Sequence, residues 1–249
     1  MPMAPSSFDA SYSEQVAQRR AQIMERVARA ARAAGRDPDG VTVCAVSKTV
    51  DVPEVQAARA AGYASFGENR PQELARKLAV LRNDPAFADV QWHMIGNLQE
   101  NKINHVLAEH PTLIHSIASP KLAEAVSKRA VVHGMVQPVL LEVNVSGEDS
   151  KSGMAPQELR ASYERLAELP GIALRGLMTM APQGSPAVAS QTFAGLRALR
   201  DELQETYASA ASLTELSMGM SEDFEEAIAQ GATIVRLGRV IFDPAFPLE

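Results

Sequence analysis

The 249-residue chain carries 30 acidic and 24 basic residues, a formal net charge of -6, and 46% of its residues are hydrophobic. This is the composition of an ordinary globular protein, and the acidic balance argues against a general nucleic-acid binder. The single cysteine, Cys44, excludes an internal disulfide, and without a signal peptide or a membrane-spanning apolar run the chain is expected in the cytoplasm.

The predicted elements alternate regularly along the chain. Residues 1–12 are predicted to form a flexible tail, and apolar residues recurring every three, four and seven positions over 13–34 predict a long helix. Beyond a turn at 37–40, eight short apolar runs predict strands over 41–47, 64–67, 90–95, 113–117, 139–145, 174–180, 213–218 and 233–242. Seven intervening patterns predict helices over 52–61, 71–81, 98–109, 121–132, 156–168, 190–208 and 222–229.

Several of these strands are continuous apolar runs, which is typical of parallel strands covered on both faces. Alternating βα units form either an open sheet or a closed barrel, and eight such units favour the barrel. The sequence therefore predicts an α/β fold with one domain over 13–249. That domain is a (β/α)8 TIM barrel with an extra N-terminal helix.

In such barrels the chemistry lies where the strands end. Lys48 directly follows the first strand, where it is either a nucleophile for carbonyl groups or a solvent-facing lysine. Glu68 and Asn69 end the second strand as candidate polar contacts at the barrel mouth, and Asn69 is alternatively the N-cap of the next helix. His93 is expected to be a packed, hydrogen-bonded core residue, whereas His115 fits either a core or a mouth position.

The last two strands predict an anion site. Arg236 lies within an apolar strand and needs an anion or a polar partner, and Gly238 lets backbone N–H groups approach an anion closely. Barrels often bind phosphate between the loops after strands seven and eight, where Ser217, Ser221 and Arg239 lie. A role as helix N-cap explains Ser221 equally well, but it does not explain Ser217.

Strand five adds two polar residues. Glu142 and Asn144 alternate with apolar neighbours and are expected to face the barrel interior, where a bound polar ligand would explain them. The sequence motifs of metal, dinucleotide and serine-hydrolase sites are absent, so no metal site is predicted.

Eight stretches follow one another in a fixed order: AVSKT at 45–49, FGENRPQE at 66–73, WHMIGNLQENK at 92–102, HSI at 115–117, LEVNVSGEDSKSGM at 141–154, RGLMTM at 175–180, LSMGMSEDFEEAI at 216–228 and IVRLGRVIF at 234–242. In these stretches the chain resembles the pyridoxal phosphate homeostasis protein family, the YggS/PROSC-type PLP-binding proteins. Eight matches in order across nearly the whole chain are a specific signal. The resemblance implies a barrel like the N-terminal domain of alanine racemase.

The resemblance also implies a cofactor, pyridoxal 5′-phosphate (PLP), held as a Schiff base on Lys48. Asn69 would lie near the cofactor and Arg236 would face its pyridine nitrogen. The phosphate would be held by Ser217, Gly238 and Arg239. An arginine at the ring nitrogen disfavours its protonation and weakens the ring as an electron sink. The implied function is intracellular PLP (vitamin B6) homeostasis without robust catalysis, and no catalytic residue is predicted.

Two positions depart from the family pattern: Arg239 stands where threonine is frequent, and Asp243 where glycine is common. Two other functions stay open, a PLP-dependent amino-acid racemase and a cofactor-free lyase that uses the Lys48 amine. The expected lack of an additional β-rich domain, which the racemases have, weighs against a racemase. The predicted phosphate site weighs against a cofactor-free lyase. The expected partners are PLP and, as candidate recipients, apo forms of PLP-dependent enzymes; nucleic acid and membrane are not expected, and the chain is predicted to be a monomer.

Overall fold

The computed structural model describes residues 7–148 and 151–248, in which eight parallel strands close into a barrel in sequence order. The strands are β1 Thr42–Val46, β2 Ser65–Glu68, β3 Gln91–Met94, β4 Leu113–Ile117, β5 Gln137–Glu142, β6 Ile172–Met178, β7 Glu215–Ser217 and β8 Ile234–Leu237. The barrel closes through pairing of β1 with β8, for example Ala45 with Leu237. The predicted (β/α)8 barrel with an N-terminal helix is therefore confirmed.

The helices cover the outside of this barrel. They are α1 Ser7–Ala33, α2 Val52–Ala60, α3 Pro71–Leu81, α4 Ile103–Ala108, α5 Pro120–Val132, α6 Pro156–Ala167, α7 Pro186–Thr206, α8 Phe224–Ala229 and α9 Arg239–Phe242. Several begin with proline, whose fixed φ and missing N–H suit the first helical position. Ser119 and Ser185 cap the helices that follow them by accepting a backbone N–H.

Three boundaries differ from the predictions. Helix α1 begins at Ser7 and not at residue 13, so residues 7–12 of the predicted tail are helical; residues 1–6 lie outside the described part. The predicted helix over 98–109 is divided into a 3-10 turn at Glu100–Lys102 and α4. The last predicted strand, 233–242, ends at Leu237 because the chain turns at Gly238 into α9.

Side chains alternate between the two faces of each strand and so build two cores. The larger core fills the space between the strands and the helices. A smaller apolar cluster fills the barrel interior and consists of Cys44, Leu113, Leu140, Met178 and Ile234. Burial raises the pKa of the Cys44 thiol to about 12, so this cysteine is a packing residue and not a reactive thiolate. Among the helices described, none is long and apolar enough to cross a lipid bilayer.

Candidate functional site

A cavity of about 750 Å³ opens at the carboxyl ends of the strands. Its lining comes from segments that follow six different strands and includes five of the six predicted cofactor-binding residues: Lys48, Asn69, Arg236, Gly238 and Arg239. The volume lies within the usual range for small-molecule sites. The structure therefore brings together residues that are far apart in the sequence, at the barrel face where ligands are normally bound.

Lys48 lies two residues beyond β1, at the cavity edge. Cys44 packs inside the barrel and Val46 lines the cavity, so the alternation that they establish directs position 48 to the same side. The Lys48 side chain is exposed to solvent at the mouth and is not enclosed by apolar residues. Its amine is therefore accessible to a ligand that enters the cavity.

Asn69 is a cavity residue and not a helix cap. Helix α3 has Arg70 at its N-cap position, and no side chain there makes a capping hydrogen bond. The backbone of Asn69 packs against Gly96, where a Cβ atom would lie 2.2 Å from the Asn69 carbonyl oxygen. Only glycine allows this close approach, which fixes the loops after β2 and β3 together beneath Asn69.

Gly238, Arg239 and Ser221, which the sequence places near a predicted anion site, also line the cavity. A Cβ atom on Gly238 would lie 3.3 Å from the Val46 carbonyl oxygen, so glycine keeps the end of β8 close to β1. The Ser221 hydroxyl accepts a hydrogen bond from the Val240 amide at 3.3 Å. Arg239 lies at the start of α9, half-exposed, and donates to Glu222 at 2.8 Å.

Ser217, which the resemblance implies as a phosphate contact, is absent from the lining of this cavity. It is fully buried inside the barrel, where its Oγ accepts a hydrogen bond from Arg236 at 2.7 Å and lies 2.9 Å from Nδ1 of His115. Both contacts engage the hydroxyl away from the mouth. Ser221, four positions later, lines the cavity and is the serine available to an anion.

Arg236 is 6% exposed, and both described bonds from its guanidinium lead to the barrel wall. In addition to Ser217 it donates to the Thr179 carbonyl at 3.1 Å, and its other N–H groups are available to the cavity that it lines. Burial lowers the pKa of Arg236, but an arginine in a protein stays charged. The predicted need for a polar partner is thus met by a hydroxyl and a carbonyl.

Beyond Ser217, two histidines continue the buried polar chain. Nε2 of His115 lies 2.9 Å from Nδ1 of His93, and Nε2 of His93 lies 3.4 Å from the Ser65 hydroxyl. Burial lowers the pKa of His93 to about 4; it also holds the pKa of His115 well below its usual range, with His93 and Arg236 acting in the same direction. His93 is therefore the packed, hydrogen-bonded residue that the sequence predicts, and His115 occupies a core position.

The two polar residues of strand five, Glu142 and Asn144, lie in different surroundings. Glu142 is 2% exposed at the end of β5, and burial raises the pKa of its carboxyl to about 7, against the opposing effect of the Arg236 charge. Asn144 does not face the interior as predicted. Its side chain organises the following loop by donating to the Glu148 carbonyl at 2.8 Å and accepting from the Gly147 amide at 3.0 Å.

The shifted pKa values make stability depend on pH in opposing ways. Between their folded and unfolded pKa values, His93 and His115 bind a proton only in the unfolded chain, so their contribution to stability falls as pH falls through about 6.5. Glu142 binds a proton only in the folded chain between pH 4.5 and about 7, so its contribution rises as pH falls and offsets one histidine. Removing this carboxyl should therefore make the protein more sensitive to acid.

We expect Glu142→Gln to steepen the loss of stability on acidification by about 1 kcal/mol per pH unit near pH ~5.5. Urea denaturation at several pH values measures this slope directly. Glu205→Gln, at an exposed position of α7, is the matched control and should leave the slope unchanged. Equal slopes in the wild type and Glu142→Gln would contradict this assignment.

A buried ion pair beside Lys48 was not predicted. Glu68 faces away from the mouth and accepts from Lys77 of α3, and both side chains are fully buried. Lys77 also donates to the Ser47 carbonyl at 2.7 Å, and the Ser47 hydroxyl donates to Glu68 at 2.6 Å. The sequence did hold a signal, because Lys77 falls on the apolar stripe of α3 with Leu74 and Leu78.

Comparison with known proteins agrees with this geometry. Residues 19–244 match the model of the family described as "Alanine racemase, N-terminal domain". The pyridoxal phosphate homeostasis protein of Aquifex aeolicus is 41% identical over 226 residues, which cover 90% of this chain and 96% of that protein.

Two solved structures extend the match to three dimensions. A protein of unknown function from Bifidobacterium adolescentis is 38% identical with a TM-score of 0.89, covering 97% of this chain and 98% of its own. PipY of Synechococcus elongatus, solved with PLP bound, is 38% identical with a TM-score of 0.76 and covers 88% of this chain and 99% of its own. The chain therefore belongs to the alanine racemase N-terminal domain family and, within it, to the pyridoxal phosphate homeostasis proteins.

Proposed function

We propose that this chain binds PLP in the strand-end cavity, as a Schiff base on Lys48, and serves PLP homeostasis in the cytoplasm without robust catalysis of its own. The observation that carries the proposal is the meeting of one accessible amine, Lys48, with an anion-binding edge in the same cavity. The names of the relatives and the PLP-bound PipY structure support the same cofactor. We further propose that the protein acts as a monomer and that apo forms of PLP-dependent enzymes are its partners.

The cavity residues fit each part of this cofactor. The Lys48 amine suits the aldehyde, and Ser221, Gly238 and Arg239 in the same lining offer a hydroxyl, a backbone without a side chain and a guanidinium to a phosphate. Arg236 retains N–H groups that can face the ring nitrogen, and Asn69, which follows β2 next to β1, lines the same cavity as Lys48. When bound, PLP supplies an electrophilic aldehyde and an electron-accepting ring. A charged arginine at the ring nitrogen disfavours protonation there, which supports a carrier role over carbanion chemistry.

Absorbance spectroscopy with chemical trapping tests the proposal. Incubation of the purified protein with PLP should produce a visible yellow band, and reduction with borohydride should attach the cofactor covalently to the peptide that contains Lys48, as read by mass spectrometry. A colourless protein, or a label on another lysine, would overturn the binding site. Racemisation of free alanine at ordinary enzyme rates would replace the carrier function by a racemase function.

The phosphate contact of Arg239 has a separate consequence. Arg239→Ala should weaken binding of PLP by about three- to tenfold, since a charge-assisted hydrogen bond is lost at a half-exposed position. Binding of pyridoxal, which lacks the phosphate, should not change. Fluorescence titration with both ligands separates the two effects, and Arg32→Ala on the exposed face of α1 is the control. An equal loss for both ligands would place Arg239 away from the phosphate.

A further inference from the structure

The buried polar chain inside the barrel connects five side chains and has no part in the contacts proposed above for Lys48 and the phosphate. It runs from Arg236 through Ser217, His115 and His93 to Ser65, with neighbouring atoms 2.7 to 3.4 Å apart. Its members come from five strands, β2, β3, β4, β7 and β8. Polar groups are costly in a barrel interior unless each finds a partner, so the order of donors and acceptors along the chain matters.

Arg236 fixes the donor-to-acceptor direction of the hydrogen bonds along this buried polar chain. A guanidinium only donates, so the Ser217 oxygen accepts from Arg236, and the hydrogen of the Ser217 hydroxyl then needs an acceptor. The atom in reach is Nδ1 of His115 at 2.9 Å. The opposite direction would leave that hydrogen without an acceptor in the bonds that the described residues make, which is unfavourable for a fully buried hydroxyl.

The direction of the Ser217 hydroxyl also fixes the tautomers of both histidines. If Nδ1 of His115 accepts, its proton is on Nε2, which donates to Nδ1 of His93 at 2.9 Å. His93 then also carries its proton on Nε2, facing Ser65. Both rings must stay neutral, because one further proton would bring two N–H groups into opposition; burial and the nearby Arg236 charge act in that direction.

We propose that His115 is a positioning residue that acts through Ser217 on Arg236 and fixes how Arg236 presents its remaining N–H groups to the ring nitrogen of the cofactor. This role rests on the proposed PLP function. Without the His115 acceptor, the hydrogen of the buried Ser217 hydroxyl would have no partner, so the hydroxyl would reorient to find one and its bond from the Arg236 guanidinium would weaken. Arg236 would then be held mainly by its bond to the Thr179 carbonyl, and its orientation would be less fixed.

Nitrogen-15 NMR of histidine-labelled protein without cofactor tests the assignment of protons. Two of the five histidines should be neutral Nε2–H tautomers whose signals do not titrate between pH ~5.5 and ~8. His115→Asn and His93→Asn variants identify the two signals. An Nδ1–H tautomer at either position, or titration near the ordinary histidine pKa, would overturn the proposed direction of the chain.

A matched pair of variants tests the positioning role. In His115→Asn the side-chain oxygen can replace Nδ1 and still accept from Ser217, whereas the longer side chain of His115→Gln reaches toward His93 instead. We expect His115→Gln and Ser217→Ala to shift the visible band of the PLP-loaded protein and to weaken PLP binding about tenfold, with His115→Asn close to the wild type. His105→Gln, at an exposed position of α4, is the control.

These measurements distinguish failure of the positioning role of His115 from failure of PLP binding. Melting temperatures are measured for all variants, because a purely structural role would lower them without moving the absorption band. If His115→Gln has the band and affinity of His115→Asn, the positioning role is overturned while PLP binding stands. If the wild type takes up no PLP, the proposed function fails and the positioning role fails with it.

Discussion

After incubation with PLP and removal of free cofactor, Lys48→Ala should lack the absorption band of the Schiff base and should acquire no covalent label on borohydride reduction. The side chain supplies the amine that captures the aldehyde, and no other lysine lines the described cavity. The proposed phosphate contacts at Ser221, Gly238 and Arg239 are untouched, so reversible binding of the phosphate should persist with reduced affinity. Because Lys48 is exposed at the mouth, its truncation should leave the melting temperature nearly unchanged.

Lys102→Ala is the matched control, since this lysine lies outside the cavity lining on the 3-10 turn that precedes α4. It should take up colour and label like the wild type. The measurement is the absorbance spectrum before and after reduction, followed by mass spectrometry of the intact protein. A labelled Lys48→Ala protein would show that another amine captures the cofactor, and the proposed site would have to be abandoned.

The fold could be predicted from the sequence because its strands are buried on both faces. Apolar runs such as 113–117 reappear as β4 with the same bounds, and the helix over 71–81 reappears as α3. The predicted bounds are wrong where contacts between distant segments determine the secondary structure. The first turns of α1 lack an apolar stripe, yet the Tyr12 hydroxyl donates to the Phe242 carbonyl at 3.2 Å and ties this segment to the barrel. At the other end, the run 239–242 is apolar enough for a strand, but it folds as α9 with Phe242 N–H donating to the Gly238 carbonyl.

The site could be predicted only as far as strand ends can be located. A residue after a strand is known to lie near the mouth, which identified Lys48, Asn69 and Gly238. The depth of a side chain inside the barrel is not encoded in the local sequence. The sequence therefore favoured Ser217 over Ser221, which a helix cap explains, although in the closed barrel Ser217 contacts His115 from β4 and Ser221 lines the cavity.

Asn144 and Glu68 show the same limit for polar residues near strand ends. Alternation places Asn144 inward only if the strand continues, but β5 ends at Glu142, and the Asn144 side chain turns to its own loop. Glu68 belongs to β2 and faces outward, where it forms an ion pair with Lys77 of α3. The hydrogen-bonding partner that determines where each side chain points lies in the following loop for Asn144 and in the following helix for Glu68.

The second large effect concerns that lysine. Lys77→Met should lower the free energy of unfolding by about 3–5 kcal/mol, because the Glu68 carboxylate would remain buried without its cation. The second carboxylate oxygen of Glu68 is already buried without a hydrogen-bond partner among the described residues. Among these residues, no further donor near it can therefore replace the lysine. Urea denaturation of the wild type and Lys77→Met at the same pH gives this difference.

The double variant Lys77→Met/Glu68→Leu separates stability from positioning. Removing both charges should recover most of the lost stability, since a buried ion pair is often replaceable by apolar residues. The carbonyl and hydroxyl of Ser47 would still lack their partners, which leaves a deficit of about 1–2 kcal/mol and a looser chain next to Lys48. We therefore expect the double variant to fold but to form the Schiff base with PLP more weakly than the wild type. If it binds PLP as tightly as the wild type, the pair contributes only to packing, and the position of Lys48 is set by β1 alone.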